Sequence, residues 1–93
     1  MAKKTSARRA TKPRLVLITG ASQGLGAALA EAYARALPGV RLALVARNAR
    51  NLATVERRCA RLGADAHAFV CDVSDDAAVA RLPAAVAAEF GPA

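Results

Sequence analysis

Three glycines stand between an apolar run and a helical pattern, and nothing else constrains the folding of this chain as strongly. The run is Leu15-Val16-Leu17-Ile18, and the turn is Thr19-Gly20-Ala21-Ser22-Gln23-Gly24-Leu25-Gly26. An alanine-rich pattern with helical spacing then reaches Leu37. A helix that starts at such a turn presents unpaired N–H groups and a partial positive charge, and together these attract an anion. Glycines let the turn take angles that other residues resist, and they let an anion approach the backbone with no Cβ in the way. The spacing is G-x-x-x-G-x-G, not G-x-G-x-x-G. No Gly-Lys-Ser/Thr follows, which excludes a P-loop.

The rest of the chain repeats the alternation. Leu15–Thr19 is apolar at consecutive positions, as a parallel strand covered on both faces should be. The first helix is expected over Leu25–Leu37, packing through Leu25, Ala28, Leu29, Ala32 and Ala36. Glu31 and Arg35 can pair across one turn, and Pro38-Gly39 ends the helix. Val40–Ala46 reads as a second strand. A helix from about Asn51 to Leu62 buries Leu52, Val55, Cys59 and Leu62 by its spacing, with Gly63 as its cap. Ala66–Cys71 reads as a third strand. Ser74 is placed to cap a last helix, whose positive end Asp75 and Asp76 favour. Pro83 is expected to kink or split that helix near Leu82, and Gly91-Pro92 to close it.

Strands joined through helices make right-handed crossovers and a parallel sheet. The fold class expected is α/β, a Rossmann-type three-layer doubly wound sheet in part, with about three βα units and strand order 3-2-1. Such sheets bind ligands beyond the carboxyl ends of their strands. The glycine turn, Arg47 and Asp72 all fall at those ends, which points to a dinucleotide. Its selector sits near the end of the second strand. An acid there takes the ribose 2′-hydroxyl of NAD, and an arginine takes the 2′-phosphate of NADP. Arg47 lies 21 residues past Gly26, and no acid stands between Glu31 and Glu56. A guanidinium fork suits phosphate oxygens, so NADP(H) is expected in preference to NAD(H).

The strand ends Thr19-Gly20-Ala21-Ser22-Gln23-Gly24-Leu25-Gly26, Ala46-Arg47-Asn48 and Cys71-Asp72-Val73-Ser74-Asp75 resemble those of the short-chain dehydrogenase/reductase family. The likeness extends over nearly all of residues 15–93. It implies that Gly20, Gly24 and Gly26 line the pyrophosphate turn. Ser22, Gln23 and Leu25 would contact phosphates or ribose. Arg47, with Asn48, would hold the 2′-phosphate. Asp72 would accept from the adenine amino group, with Val73 packing on the ring. The implied reaction of a full-length parent, expected to be a homo-oligomer, is hydride transfer between NADPH and a carbonyl or alcohol substrate. Family members carry Asn-Ala-Gly, Ser and Tyr-x-x-x-Lys further along. The sole tyrosine here, Tyr33, is followed four positions on by Leu37. The expectation is therefore a cofactor-binding portion, residues 15–93, without catalytic residues of its own.

Charge is distributed unevenly. Residues 1–14 hold six of the 14 basic residues and no acid, whereas the remainder has eight arginines against seven acids. The net charge of +7 is thus mostly a basic tail, expected to be disordered and solvated because it cannot bury a core. It has no aromatic interleaving for specific nucleic-acid binding and no apolar stretch of a secretory signal. No run reaches the ~18 apolar residues of a membrane span. Cys59 and Cys71 form no C-x-x-C, and one histidine supplies no metal-ligand set. Reduced thiols in a cytoplasmic protein are expected. His67 has no partner carboxylate in sequence reach and is expected at an exposed strand edge. Two other functions fit the same residues. One is a stand-alone nucleotide-binding or redox-sensing module, and the other is an interaction protein acting through its tail.

Overall fold

The computed structural model describes residues 14–91, so the basic tail lies outside the described residues apart from Arg14. Six elements alternate: β1 (Leu15–Thr19), α1 (Gly24–Ala36), β2 (Arg41–Ala46), α2 (Ala49–Arg61), β3 (Asp65–Val70) and α3 (Asp76–Phe90). The strands form one parallel sheet in the order β1-β2-β3, the expected neighbours. Leu15 lies opposite Arg41, which lies opposite Asp65.

The register divides the sheet into two faces. Ile18, Leu42, Leu44 and Ala46 turn to one side and meet Ala27, Ala30 and Ala34 of α1 and Leu52, Val55 and Cys59 of α2. β2 runs through the middle and is buried along nearly its whole length. The other face carries Leu15, Leu17, Ala43, Val45, His67 and Phe69, and α3 lies there against β3. Leu15 and Leu17 remain exposed on it.

The packing face of α1 differs from the periodic expectation. Ala27, Ala30 and Ala34 are buried, while Leu25 is 76% exposed and Leu29 and Tyr33 also face outward. Several alanine series in this helix satisfy a 3.6-residue repeat, so periodicity alone does not choose among them. Close approach does. A Cβ on Gly26 would collide with the Gly20 carbonyl oxygen and stand 2.6 Å from its carbon. The helix lies so near the turn that only glycine fits at position 26, and alanines at 27, 30 and 34 fill the face that follows. The turn itself is tied to β2 by the Ala21 N–H, which donates to the Val45 carbonyl at 3.1 Å.

Two further expectations are corrected. Asp75, not Ser74, caps α3, accepting from the Ala77 and Ala78 N–H groups. Ser74 is drawn instead to the carboxylate of Asp72. Pro83 neither splits nor ends α3, which runs unbroken from Asp76 to Phe90. A proline at this position frees the carbonyl of Val79, a residue on the exposed side of the helix. Two other helix signals hold. Glu31 pairs with Arg35 at 3.8 Å and with Arg58 at 3.4 Å, and Gly63 follows α2 at φ +102°. Leu62, expected inside, is partly exposed at the end of α2.

Gly26→Ala is expected to cost about 3 kcal/mol or more, the upper range for overpacking, because backbone and not a flexible side chain blocks the new methyl. Gly24→Ala meets open space and should cost only the left-handed strain, about 1–2 kcal/mol. Urea unfolding followed by circular dichroism checks this order; equal losses would mean that α1 can slide away from the turn.

Candidate functional site

The carboxyl ends of all three strands open onto one cleft of about 810 Å³. Gly20, Ser22, Gln23, Gly24, Leu25 and Gly26 line its first wall, and Arg47 and Asn48 its second. Asp72 and Val73 line the third. Every residue expected at the site from the sequence is therefore brought to one place.

The three helix N-termini are not equivalent. α2 is capped by Asn48, whose side-chain oxygen accepts from the Asn51 N–H at 2.9 Å. α3 is capped by Asp75 and has Asp76 in its first turn. α1 follows Gln23, whose side chain makes no capping bond, and has no acid in its first turn. Its opening N–H groups are thus left to an outside acceptor, at the turn where Gly20 and Gly24 adopt φ of +65° and +58°. Both glycines leave open space where a Cβ would stand.

Asp72 is held in a fixed orientation. Its Oδ1 accepts from the Ser74 N–H at 2.9 Å and from the Ser74 hydroxyl at 2.7 Å. Its Oδ2 lies 3.9 Å from Nη1 of Arg47. The two bonds from Ser74, helped by the Arg47 charge, hold the Asp72 carboxyl below the ordinary carboxylate range. Asp72 therefore stays ionised and keeps its acceptor character. Arg47 is exposed and points no closer to any other acid among the described residues. Asn48 spends its oxygen on the cap, which leaves its NH₂ as the group able to donate to a ligand.

Residues 14–93 match the family described as short chain dehydrogenase. The chain belongs to that family. It is 47% identical over 81 residues to the D-threitol dehydrogenase of Mycolicibacterium smegmatis, which covers 84% of this chain and 29% of that enzyme. It superposes with a TM-score of 0.75, at 36% identity, on a metagenomic short-chain oxidoreductase in complex with NADP, over 84% of this chain and 34% of that one. NAD⁺-bound xylitol dehydrogenase gives a TM-score of 0.77 at 32% identity, over 84% of this chain and 29% of that one. The chain spans under a third of the length of the curated relatives it matches.

Within this short-chain dehydrogenase cleft, sequence reasoning missed Ser74 as the group that orients Asp72. The signal was present, because an aspartate two residues before a backbone N–H can close an Asx turn. It also missed Glu56, whose carboxylate accepts from the Ala68 N–H at 2.7 Å on the outer edge of β3. Among the described residues no three metal-ligating side chains cluster, and no helix is long and apolar enough to cross a membrane.

A depressed folded-state pKa contributes stability above the unfolded pKa and loses it as pH falls through the folded one. Ser74→Ala removes one bond to Asp72. We expect the Asp72 carboxyl to titrate closer to its ordinary value in that variant, with less stability to lose on acidification. Carboxyl-carbon NMR titration reads this directly, and an unchanged Asp72 midpoint would leave the Ser74 N–H bond, with the Arg47 charge, as the cause of the depression.

Proposed function

We propose that this chain is the NADP(H)-binding portion of a short-chain dehydrogenase/reductase. The observation that carries the reading is the uncapped, acid-free N-terminus of α1 at a turn whose glycines leave room for a ligand. Gly20, Gly24 and Gly26 would form the pyrophosphate turn, Gly26 by letting the helix close on it. Ser22, Gln23 and Leu25 would meet phosphate or ribose. Arg47 and the Asn48 NH₂ would hold the 2′-phosphate, and Asp72 and Val73 the adenine. A nicotinamide dinucleotide would supply hydride chemistry. The residues of this chain would bind it and orient it.

The reading extends to the parent by family. Such an enzyme would exchange hydride between NADPH and a carbonyl or alcohol, as a homo-oligomer in the cytoplasm. Two unpaired thiols, Cys59 and Cys71, support a reducing compartment. Preference for NADPH rests on Arg47, since no acid occupies the end of β2 or the first turn of α2.

Titration of the chain with NADPH and NADH, by fluorescence or calorimetry, tests this. NADPH is expected to bind more tightly. Arg47→Ala should weaken NADPH about tenfold to a hundredfold, the range for a lost charged hydrogen bond, and should barely change NADH. Equal loss for both cofactors would remove the selector role. Binding of neither would remove the cofactor reading.

A further inference from the structure

The end of the sheet opposite the cleft holds a cluster that the proposed function does not use. His67 lies between two carboxylates: Nδ1 is 2.7 Å from Oε2 of Glu89 on α3, and Nε2 is 2.8 Å from Oδ1 of Asp65 on β3. The expectation of a histidine without a carboxylate partner is overturned. Asp65 stands two residues away, and because residues i and i+2 share a face of a strand it was within sequence reach after all. The fold then adds Glu89 from 22 positions further on. The ring also stands edge-on to Phe90, 4.5 Å between centroids.

We propose that Asp65, His67 and Glu89 form a proton-operated latch, which holds the C-terminal end of α3 on β3 and releases it when the imidazole loses one proton. Two acceptors facing two ring nitrogens are satisfied together only by the imidazolium, in which both nitrogens donate. In neutral imidazole one nitrogen presents a lone pair to a carboxylate at hydrogen-bond distance, and one carboxylate must withdraw. Glu89 is the one that leaves. It sits in the last turn of α3, at the negative end of the helix, and that turn contains no basic residue. Among the described residues His67 is the one basic group within ion-pair distance of it, so the imidazolium does most to offset its charge there. Asp65 is fixed at the start of β3, paired with β2.

The other groups facing the cluster do not switch. Arg41 of β2 lies 5.8 Å from the Phe90 ring centroid and remains charged at every pH of interest. Glu56 of α2 reaches the next residue, Ala68, at the outer edge of β3 and is engaged with its backbone. Phe69 packs toward Phe90 and carries no charge. Burial of the imidazole lowers its pKa, but the bonds and charges of Asp65 and Glu89 outweigh this and hold it above the ordinary value of 6.5. Stability from such a group is full below the unfolded pKa and is lost as pH rises through the folded one. The latch is therefore closed in acid and open in base.

The test needs no mutation to begin, since His67 is the only histidine in the chain. Its ring resonance can be followed by NMR in the full chain from about pH 5 to about pH 8. Amide exchange of Ala87 to Phe90, corrected for intrinsic rates, is measured alongside. We expect a midpoint above 6.5 and a loss of last-turn protection along the same curve, with β2 amides unaffected. Each unit of displacement should change the closed-to-open ratio about tenfold. Glu89→Gln should lower the midpoint and make last-turn protection independent of pH. A midpoint at or below the ordinary value, or last-turn protection that ignores the His67 titration, would overturn the latch even if the variant failed to fold.

Discussion

Because Gly26 has no side chain, α1 rests against the preceding turn with backbone touching backbone. Much of the remaining geometry follows. A helix that close can pack only small residues inward, and it uses Ala27, Ala30 and Ala34. The larger Leu25, Leu29 and Tyr33 are displaced to the outer surface. The same contact brings the start of α1 to the carboxyl end of β1, where the Ala21 N–H is fastened to β2. The opening N–H groups of α1 thus face the rim shared with Arg47 and Asp72. A bulkier residue at position 26 would tilt the helix and disperse the cleft before changing any polar group in it.

The two edges of the sheet are treated differently. On β3, the outward N–H of Ala68 is taken by Glu56, which reaches over from α2. An edge whose central donor is covered by a carboxylate is a poor template for another strand. Nothing comparable covers β1 among the described residues, and Leu15 and Leu17 are partly exposed beside it. The outer stripe of α1, Leu25, Leu29 and Tyr33, is apolar as well. Apolar surface left open beside an uncovered edge invites association, whereas the edge of β3 has its middle donor covered by Glu56.

Much of this was legible in the sequence, for identifiable reasons. Runs such as Leu42-Ala43-Leu44-Val45 announce a strand buried on both faces, and the glycine turn and Gly63 announce where helices begin and end. The site was legible because strand ends in a parallel sheet converge, so Gly24, Arg47 and Asp72 need no long-range information to be grouped. What failed was whatever depended on competition between near-equivalent local choices. The face of α1 was decided by a backbone contact between positions 20 and 26, which hydrophobic periodicity does not register. The cap of α3 went to Asp75 because Ser74 had a better acceptor in Asp72. The partners of His67 depended on where α3 came to rest, and that is a tertiary fact.

The polarity of the cleft runs along its length, and this bears on what can lie in it. At the glycine end there is an uncapped helix terminus and no acid. At the far end Asp72 is kept ionised by Ser74, with Arg47 close enough to offset its charge in part. A uniformly anionic ligand would suit the first end and be repelled at the second. A uniformly cationic one would meet the opposite difficulty. The arrangement suits a molecule with phosphates in its middle and an amino-bearing ring at one end. Arg47, on the middle strand's end, is exposed and 3.9 Å from Asp72, and under the proposed reading it would meet an additional negative group on the sugar that joins them. An aspartate beside the proposed phosphate site looks unfavourable when charges are merely counted. It is tolerated because its bonds from Ser74 turn one oxygen away and leave the other to accept, so its charge acts locally as a hydrogen-bond acceptor.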